Sequence, residues 1–279
     1  MNLRSDADGI IEEALAAILP DAAVQKALHG HRFAGGRIVL AAVGKAAWQM
    51  AHAASDELGS RIDRRIVITK YGHIKGDIPN ISCREAGHPV PDANSFAATQ
   101  EALDLTEGLT AEDTVLFLLS GGGSALFEKP LIPAEELKDL TEQLLASGAD
   151  IVAVNTLRKR MSAVKGGRFA EHCAPAQVFT IVLSDILGDP LDMIASGPAH
   201  PDASTAEDAH RVAAKYGLRL SPAARALLDE PLPAVLPNVT TVITGSVREL
   251  CAAAAEAAER RGYTPILLTG QLDCEAREA

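Results

Sequence analysis

The sequence predicts an α/β fold: a doubly wound, mainly parallel sheet with helices on both faces. Two observations carry that expectation. Short apolar runs of strand length alternate along the chain with longer stretches of helical spacing, the order that builds parallel strands joined by crossover helices. The first run, Arg37-Ile38-Val39-Leu40-Ala41-Ala42-Val43, is almost continuously apolar, as a strand covered on both faces must be.

The elements follow in order. Residues 6–19 and 21–29 are rich in alanine and leucine at helical spacing and predict two helices. Gly44 ends the first strand, and the helical pattern resumes over 45–58. Further strands are predicted at 65–70, 81–85, 114–119, 177–183, 239–244 and 263–268. Helices are predicted at 93–107, 134–147, 150–161, 205–216, 221–229 and 246–261. Pro231, Pro233 and Pro237 mark 231–238 as a linker, because proline cannot continue either regular structure. The expected organisation is therefore a first domain over 1–230, a linker over 231–238, and the beginning of an incomplete second α/β domain over 239–279. A new helix is expected to begin near Asp273.

Composition narrows the function. The net charge is −11, which argues against binding a nucleic-acid backbone, since that needs a basic stripe. It does not argue against a small anionic ligand in a locally positive pocket. The four cysteines, Cys83, Cys173, Cys251 and Cys274, lack metal-ligand or redox-motif spacing, and a chain of this size needs no disulfide staples. The first residues lead into an acidic amphipathic stretch rather than an apolar signal core, and no run is long enough to span a bilayer. The expected location is the cytoplasm, with no membrane partner.

Ligands of open α/β sheets bind beyond the carboxyl ends of the strands, so the residues after each strand are the site candidates. Gly44-Lys45 follows the first strand; a lysine at a helix start suits phosphate or carboxylate, though a solvated lysine reads equally well. No Walker A loop is present, because Val39 stands where its first glycine is required. Ser120-Gly121-Gly122-Gly123-Ser124 follows the fourth strand, and three glycines permit close backbone approach to an anion. Leu126 stands where both the nucleophile elbow and the dinucleotide fingerprint need glycine. A flexible turn is the alternative.

Asn155, Arg158 and Lys159 fall at neighbouring helical spacings, with Lys165-Gly166-Gly167-Arg168 close behind. They read either as an anion pocket or as a solvated basic face. Ser184-Asp185, then Gly188-Asp189 and Asp192, follow the fifth strand, where a carboxylate can hold Mg²⁺ or act as a general base. Capping and turn formation are the alternative, preferred for Asp192. His88, in the proline-flanked Gly87-His88-Pro89-Val90-Pro91-Asp92, is the one histidine placed to line a pocket.

Five segments together resemble the class II glycerate kinases: Val43–Ala47, Gly87–Asp92, Leu119–Leu126, Asn155–Arg168 and Leu183–Asp202. The resemblance implies ATP-dependent phosphorylation of D-glycerate to 2-phosphoglycerate with Mg²⁺ or another divalent cation. It implies that Lys45 is an active-site lysine and that Ser120, Gly121, Gly122, Gly123 and Ser124 form part of the phosphate and substrate pocket. Asp185 becomes the metal or base candidate, with Asp189 as a second metal ligand, and Asn155, Arg158 and Lys165 become ligand contacts. Members of the family continue into a C-terminal MOFRL domain that supplies the other wall of the cleft. The expectation is thus a chain truncated before that domain, with impaired activity. Two alternatives stand beside it: an oxidoreductase acting on hydroxypyruvate, and a non-catalytic binding remnant. The exposed apolar end of the chain adds a homodimer as the expected assembly.

Overall fold

A computed structural model describes residues 3–272. The strands are β1 (Ile38–Val43), β2 (Ile62–Lys70), β3 (Ser82–Ala86), β4 (Thr114–Ser120), β5 (Gln177–Leu183) and β6 (Val239–Thr244). The helices are α1 (Leu3–Ala17), α2 (Pro20–His29), α3 (Ala47–Leu58), α4 (Ala93–Leu105), α5 (Gly123–Leu126) and α6 (Ala134–Ala146). They continue as α7 (Ile151–Arg160), α8 (Arg168–His172), α9 (Ala206–Lys215), α10 (Pro222–Leu227) and α11 (Val247–Arg260). The strands form one six-stranded sheet in the order β3-β2-β1-β4-β5-β6, and every neighbouring pair is parallel.

The strand period of two explains the layers. Val39, Ala41 and Val43 turn to one face and pack with Phe117, Phe127 and Phe169. Ile38, Leu40 and Ala42 turn to the other and pack with Met50, Ala54, Leu116 and Leu118. A third cluster joins α6, α7, α9 and α10 through Leu137, Leu140, Leu144, Leu157, Ala209 and Ala224.

The structure differs from the expected organisation at the chain's end. The strand assigned to a second domain is β6, which pairs in parallel with β5 as the sixth strand of the first sheet. The intervening 231–238 segment is docked, not free: Asn238 Nδ2 donates to the Ala170 and Ala176 carbonyls, both at 3.0 Å, and Asp202 N–H donates to Pro233 O. α11 then lies on α1, where the Glu13 carboxylate receives Arg260 and Arg261, each at 2.6 Å. Those two guanidiniums draw the Glu13 carboxyl down to about 2.

The expected strand at 263–268 is irregular and takes no place in the sheet. Ile266 and Leu268 are 80% and 90% exposed. The helix expected near Asp273 lies outside the described residues. No helix among the described residues is long and apolar enough to cross a membrane.

Candidate active site

The strand order reverses between β1 and β4, and that switch point opens a crevice at the carboxyl ends of both strands. The turns that follow are locked together. Lys45 N–H donates to Gly121 O at 2.8 Å, Ala46 N–H donates to Ser120 Oγ at 3.0 Å, and Thr69 Oγ1 donates to Gly44 O at 2.9 Å. This corrects the expected helix start at residue 45. α3 begins at Ala47, and the amides of 45 and 46 are consumed by β4's turn instead of facing an anion. What Lys45 offers a ligand is its side chain.

Gly44 must be glycine. Its φ is +122°, and a Cβ would come within 2.5 Å of the Ser120 carbonyl oxygen. Gly108 has φ +66° with open space around it, so substitution there carries only the left-handed cost of about 1–2 kcal/mol. Gly44→Ala is expected to lower the unfolding free energy clearly more than Gly108→Ala, as denaturant titration of both variants will measure.

Three side chains converge on the glycine turn from three strand ends. A Cβ on Gly122 would stand 3.0 Å from His88 Cδ2 and 3.2 Å from Lys45 Cε, and one on Gly121 would overlap the Asp185 carboxylate. Lys45 and Asp185 are both exposed, and neither forms a salt bridge among the described residues. A cavity of about 360 Å³ adjoins Lys45 and is lined also by Trp48, His73 and Lys75.

Burial, then the charges of Lys45, Lys70 and His73, push the His88 imidazole below its ordinary value, against an upward pull from Asp185. The ring is therefore neutral near pH 7. Lys45→Met removes the largest charge holding it down, so the His88 titration midpoint should move upward in an NMR titration of the imidazole.

The basic segment divides. Asn155 is buried, and its Oδ1 accepts from Ser196 Oγ at 3.0 Å. Arg158 Nη2 donates to Ser124 O at 3.2 Å, so it reaches the glycine turn. Lys159 is taken by Asp202 at 2.6 Å, and Arg160 donates to Ser204 O at 3.0 Å.

Lys165 is 0% exposed; its Nζ donates to Phe127 O at 2.7 Å and stands 3.2 Å from Glu128 Oε2. Burial lowers the Lys165 ammonium to about 8, opposed by the Glu128 charge. The direct ligand contact expected of Lys165 is thus replaced by a bond to the backbone three residues beyond Ser124, because a buried carboxylate holds the ammonium inside. Asp189 is likewise engaged, by Arg248 at 3.4 Å, whereas Asp185 forms no ion pair among the described residues.

Glu128 and Ser196 were not among the sequence candidates. A lone carboxylate in Ala125-Leu126-Phe127-Glu128 is the signal that could have marked the first. Ser196 has no such signal, since its partners lie 41 and 72 residues away in the chain.

A family model described as a domain of unknown function, DUF4147, matches residues 6–229. A D-glycerate 2-kinase of Thermotoga maritima is 48% identical over the whole chain, which covers 67% of that relative. A glycerate 2-kinase of Pyrococcus horikoshii is 39% identical over 88% of the chain, which spans 57% of its length. The crystal structure of a Thermotoga maritima glycerate kinase superposes with a TM-score of 0.95, covering 99% of this chain and 67% of that one.

Proposed function

We propose, from the fact that this chain belongs to the glycerate 2-kinase family, that its β1, β4 and β5 ends carry the phosphoryl-transfer site of an ATP-dependent D-glycerate 2-kinase. The observation that carries the proposal is the meeting of a lysine, Lys45, and a carboxylate, Asp185, both without an ion pair among the described residues, on one glycine turn at the switch point of the sheet. Phosphoryl transfer asks the protein for positioning and charge neutralisation more than for covalent chemistry, and this turn offers both.

In this reading the 2-hydroxyl oxygen of D-glycerate attacks the γ-phosphorus of ATP, the bond to the β,γ-bridging oxygen breaks, and ADP leaves. The Lys45 ammonium neutralises charge on the oxygens in transit. The neutral His88 imidazole, facing Gly122 beside Lys45, takes the hydroxyl proton late in the transfer. The cavity lined by Lys45, His73 and Lys75 suits the polyphosphate. Asp185 would hold a divalent cation, Mg²⁺ by its hard oxygen chemistry. When bound, such a cation would supply positive charge against that of the phosphates. Arg158 acts through the Ser124 carbonyl, and Lys165 through that of Phe127.

The proposed location is the cytoplasm, consistent with unpaired Cys83, Cys173 and Cys251 thiols. The exposed Ile266, Leu267 and Leu268 favour a second copy as the partner, and sedimentation would report it.

The activity is tested with the chain extended by the residues with which the Thermotoga maritima relative continues. Given ATP, Mg²⁺ and D-glycerate, it should yield 2-phosphoglycerate, resolved from the 3-isomer by ³¹P NMR. ATP hydrolysis without phosphoglycerate would sink the reading.

A further inference from the structure

Among the hydroxyls and amides behind the glycine turn, three side chains form a chain whose proton direction is fixed from one end. Asn155 Nδ2 lies 3.1 Å from Met193 Sδ. A thioether sulfur accepts hydrogen bonds and cannot donate them. The amide face toward Met193 is therefore the NH₂, and Oδ1 is the face toward Ser196. Oδ1 accepts only, so the Ser196 hydroxyl must spend its single proton on it, at 3.0 Å. Ser124 Oγ lies 3.2 Å from Ser196 Oγ. With the Ser196 proton already committed, Ser124 has to be the donor between them. Its own proton then points inward, and what it presents to a ligand is lone pairs.

This chain is held firmly. Ser196 is 0% exposed and Asn155 5%, and an orphaned polar atom at that depth costs about 1–3 kcal/mol. Ala195 and Ser196 both sit in the left-handed region, at φ +52° and +62°, unusual for residues other than glycine. Their backbone is pinned where Gly166 N–H donates to Ser196 O at 3.0 Å. Such strain persists only where the surroundings over-determine it, and it concentrates at functional sites. Arg158 fixes the other end by donating to Ser124 O at 3.2 Å.

We propose that Ser124 is a specificity-determining acceptor that reads a hydroxyl of the substrate, and that it is not a donor to phosphate. An ionised phosphoryl or carboxylate oxygen offers no proton to an oxygen that has only lone pairs to give. A hydroxy acid offers one. The half-buried Ser124 stands two residues from Gly122, which Lys45 and His88 face. The anionic groups of the ligand and the hydroxyl that reacts then belong to the side of Lys45 and His88, and the other hydroxyl to the serine side.

The inference rests on the function proposed above, and the experiment separates the two. Calorimetry on this chain compares D-glycerate with 3-hydroxypropionate, which lacks the 2-hydroxyl, with D-lactate, which lacks the 3-hydroxyl, and with inorganic phosphate. The unmodified chain should prefer D-glycerate over one deoxy acid by about tenfold or more, the worth of one hydrogen bond of about 1–2 kcal/mol. Ser124→Ala should erase that preference while phosphate affinity stays within about twofold. Ser196→Ala, which frees the Ser124 proton, should weaken the preference with Ser124 still in place. An unchanged preference in Ser124→Ala overturns the proposal and leaves the kinase site standing. A loss of phosphate affinity with glycerate affinity unchanged overturns it too, by making Ser124 a phosphate donor. If the unmodified chain binds neither glycerate nor phosphate, the site reading fails and takes this inference with it.

Discussion

Replacing Lys165 with methionine is expected to lower the unfolding free energy by about 3–5 kcal/mol, because it strands a buried carboxylate. Glu128 is 0% exposed, and neither of its oxygens has a hydrogen-bond partner. The Lys165 ammonium 3.2 Å away is the nearer of its two cations, with Arg158 Nη2 at 4.0 Å. Removing both ends, as Glu128→Leu with Lys165→Met, should restore most of the loss, since an apolar pair in the same volume is close to neutral. The bond from Lys165 to Phe127 O would still be missing, so the glycine turn should stay looser than in the unmodified protein.

The pH dependence gives the same pair a second signature. The Lys165 ammonium titrates at about 8 in the fold against an ordinary 10.5 in the unfolded chain. Between those values the unfolded chain binds the proton and the folded chain does not, so this residue's contribution to stability rises with pH across that window. Below about 8 both states are charged and the desolvation cost is fully present. The contribution spans about 3 kcal/mol. The difference in stability between the unmodified chain and Lys165→Met should therefore grow as pH climbs from 8 to 10.5.

Lys45→Met is expected to lower kcat for phosphoryl transfer by about 10³-fold or more, on the scale of other cations that neutralise a transferring phosphoryl group. The fold should survive, since Lys45 is exposed and its structural bond is made by the backbone amide to Gly121 O. Steady-state kinetics of the extended chain, with circular dichroism as the control, will separate the two effects. A fall in kcat/KM carried only by KM would assign Lys45 to ground-state binding.

The strands were legible because burial on both faces writes itself into composition. β1, β4 and β5 read as continuous apolar runs, and their expected limits agree with the structure to within one residue. The membership of β6 was not legible. Val239–Thr244 has the local pattern of a strand, but nothing local names its neighbour, and three prolines before it imitate a linker. Residues 263–268 show the opposite failure, with strand-like apolar content and no strand pairing among the described residues.

At the site, Lys45, the glycine triplet and Asp185 could be picked out because each directly follows a strand, where a parallel sheet presents its ligands. The basic segment misled for a physical reason. Its cations look free when read alone, whereas Asp202 and Glu128, far away in sequence, draw Lys159 and Lys165 inward. Hydrogen-bond direction at Ser124 lies further still from the sequence, because it depends on which atom of Asn155 faces Met193.

The central claim is that the ligand site lies at the carboxyl ends of β1, β4 and β5. The most direct test is amide chemical-shift mapping of this chain titrated with ADP, Mg²⁺ and D-glycerate. Perturbations should cluster at Lys45, His88, Gly121–Ser124 and Asp185. Perturbations gathered instead around the apolar groove of Lys26, His31, Phe179, Val242 and Glu249, with the glycine turn unmoved, would contradict it.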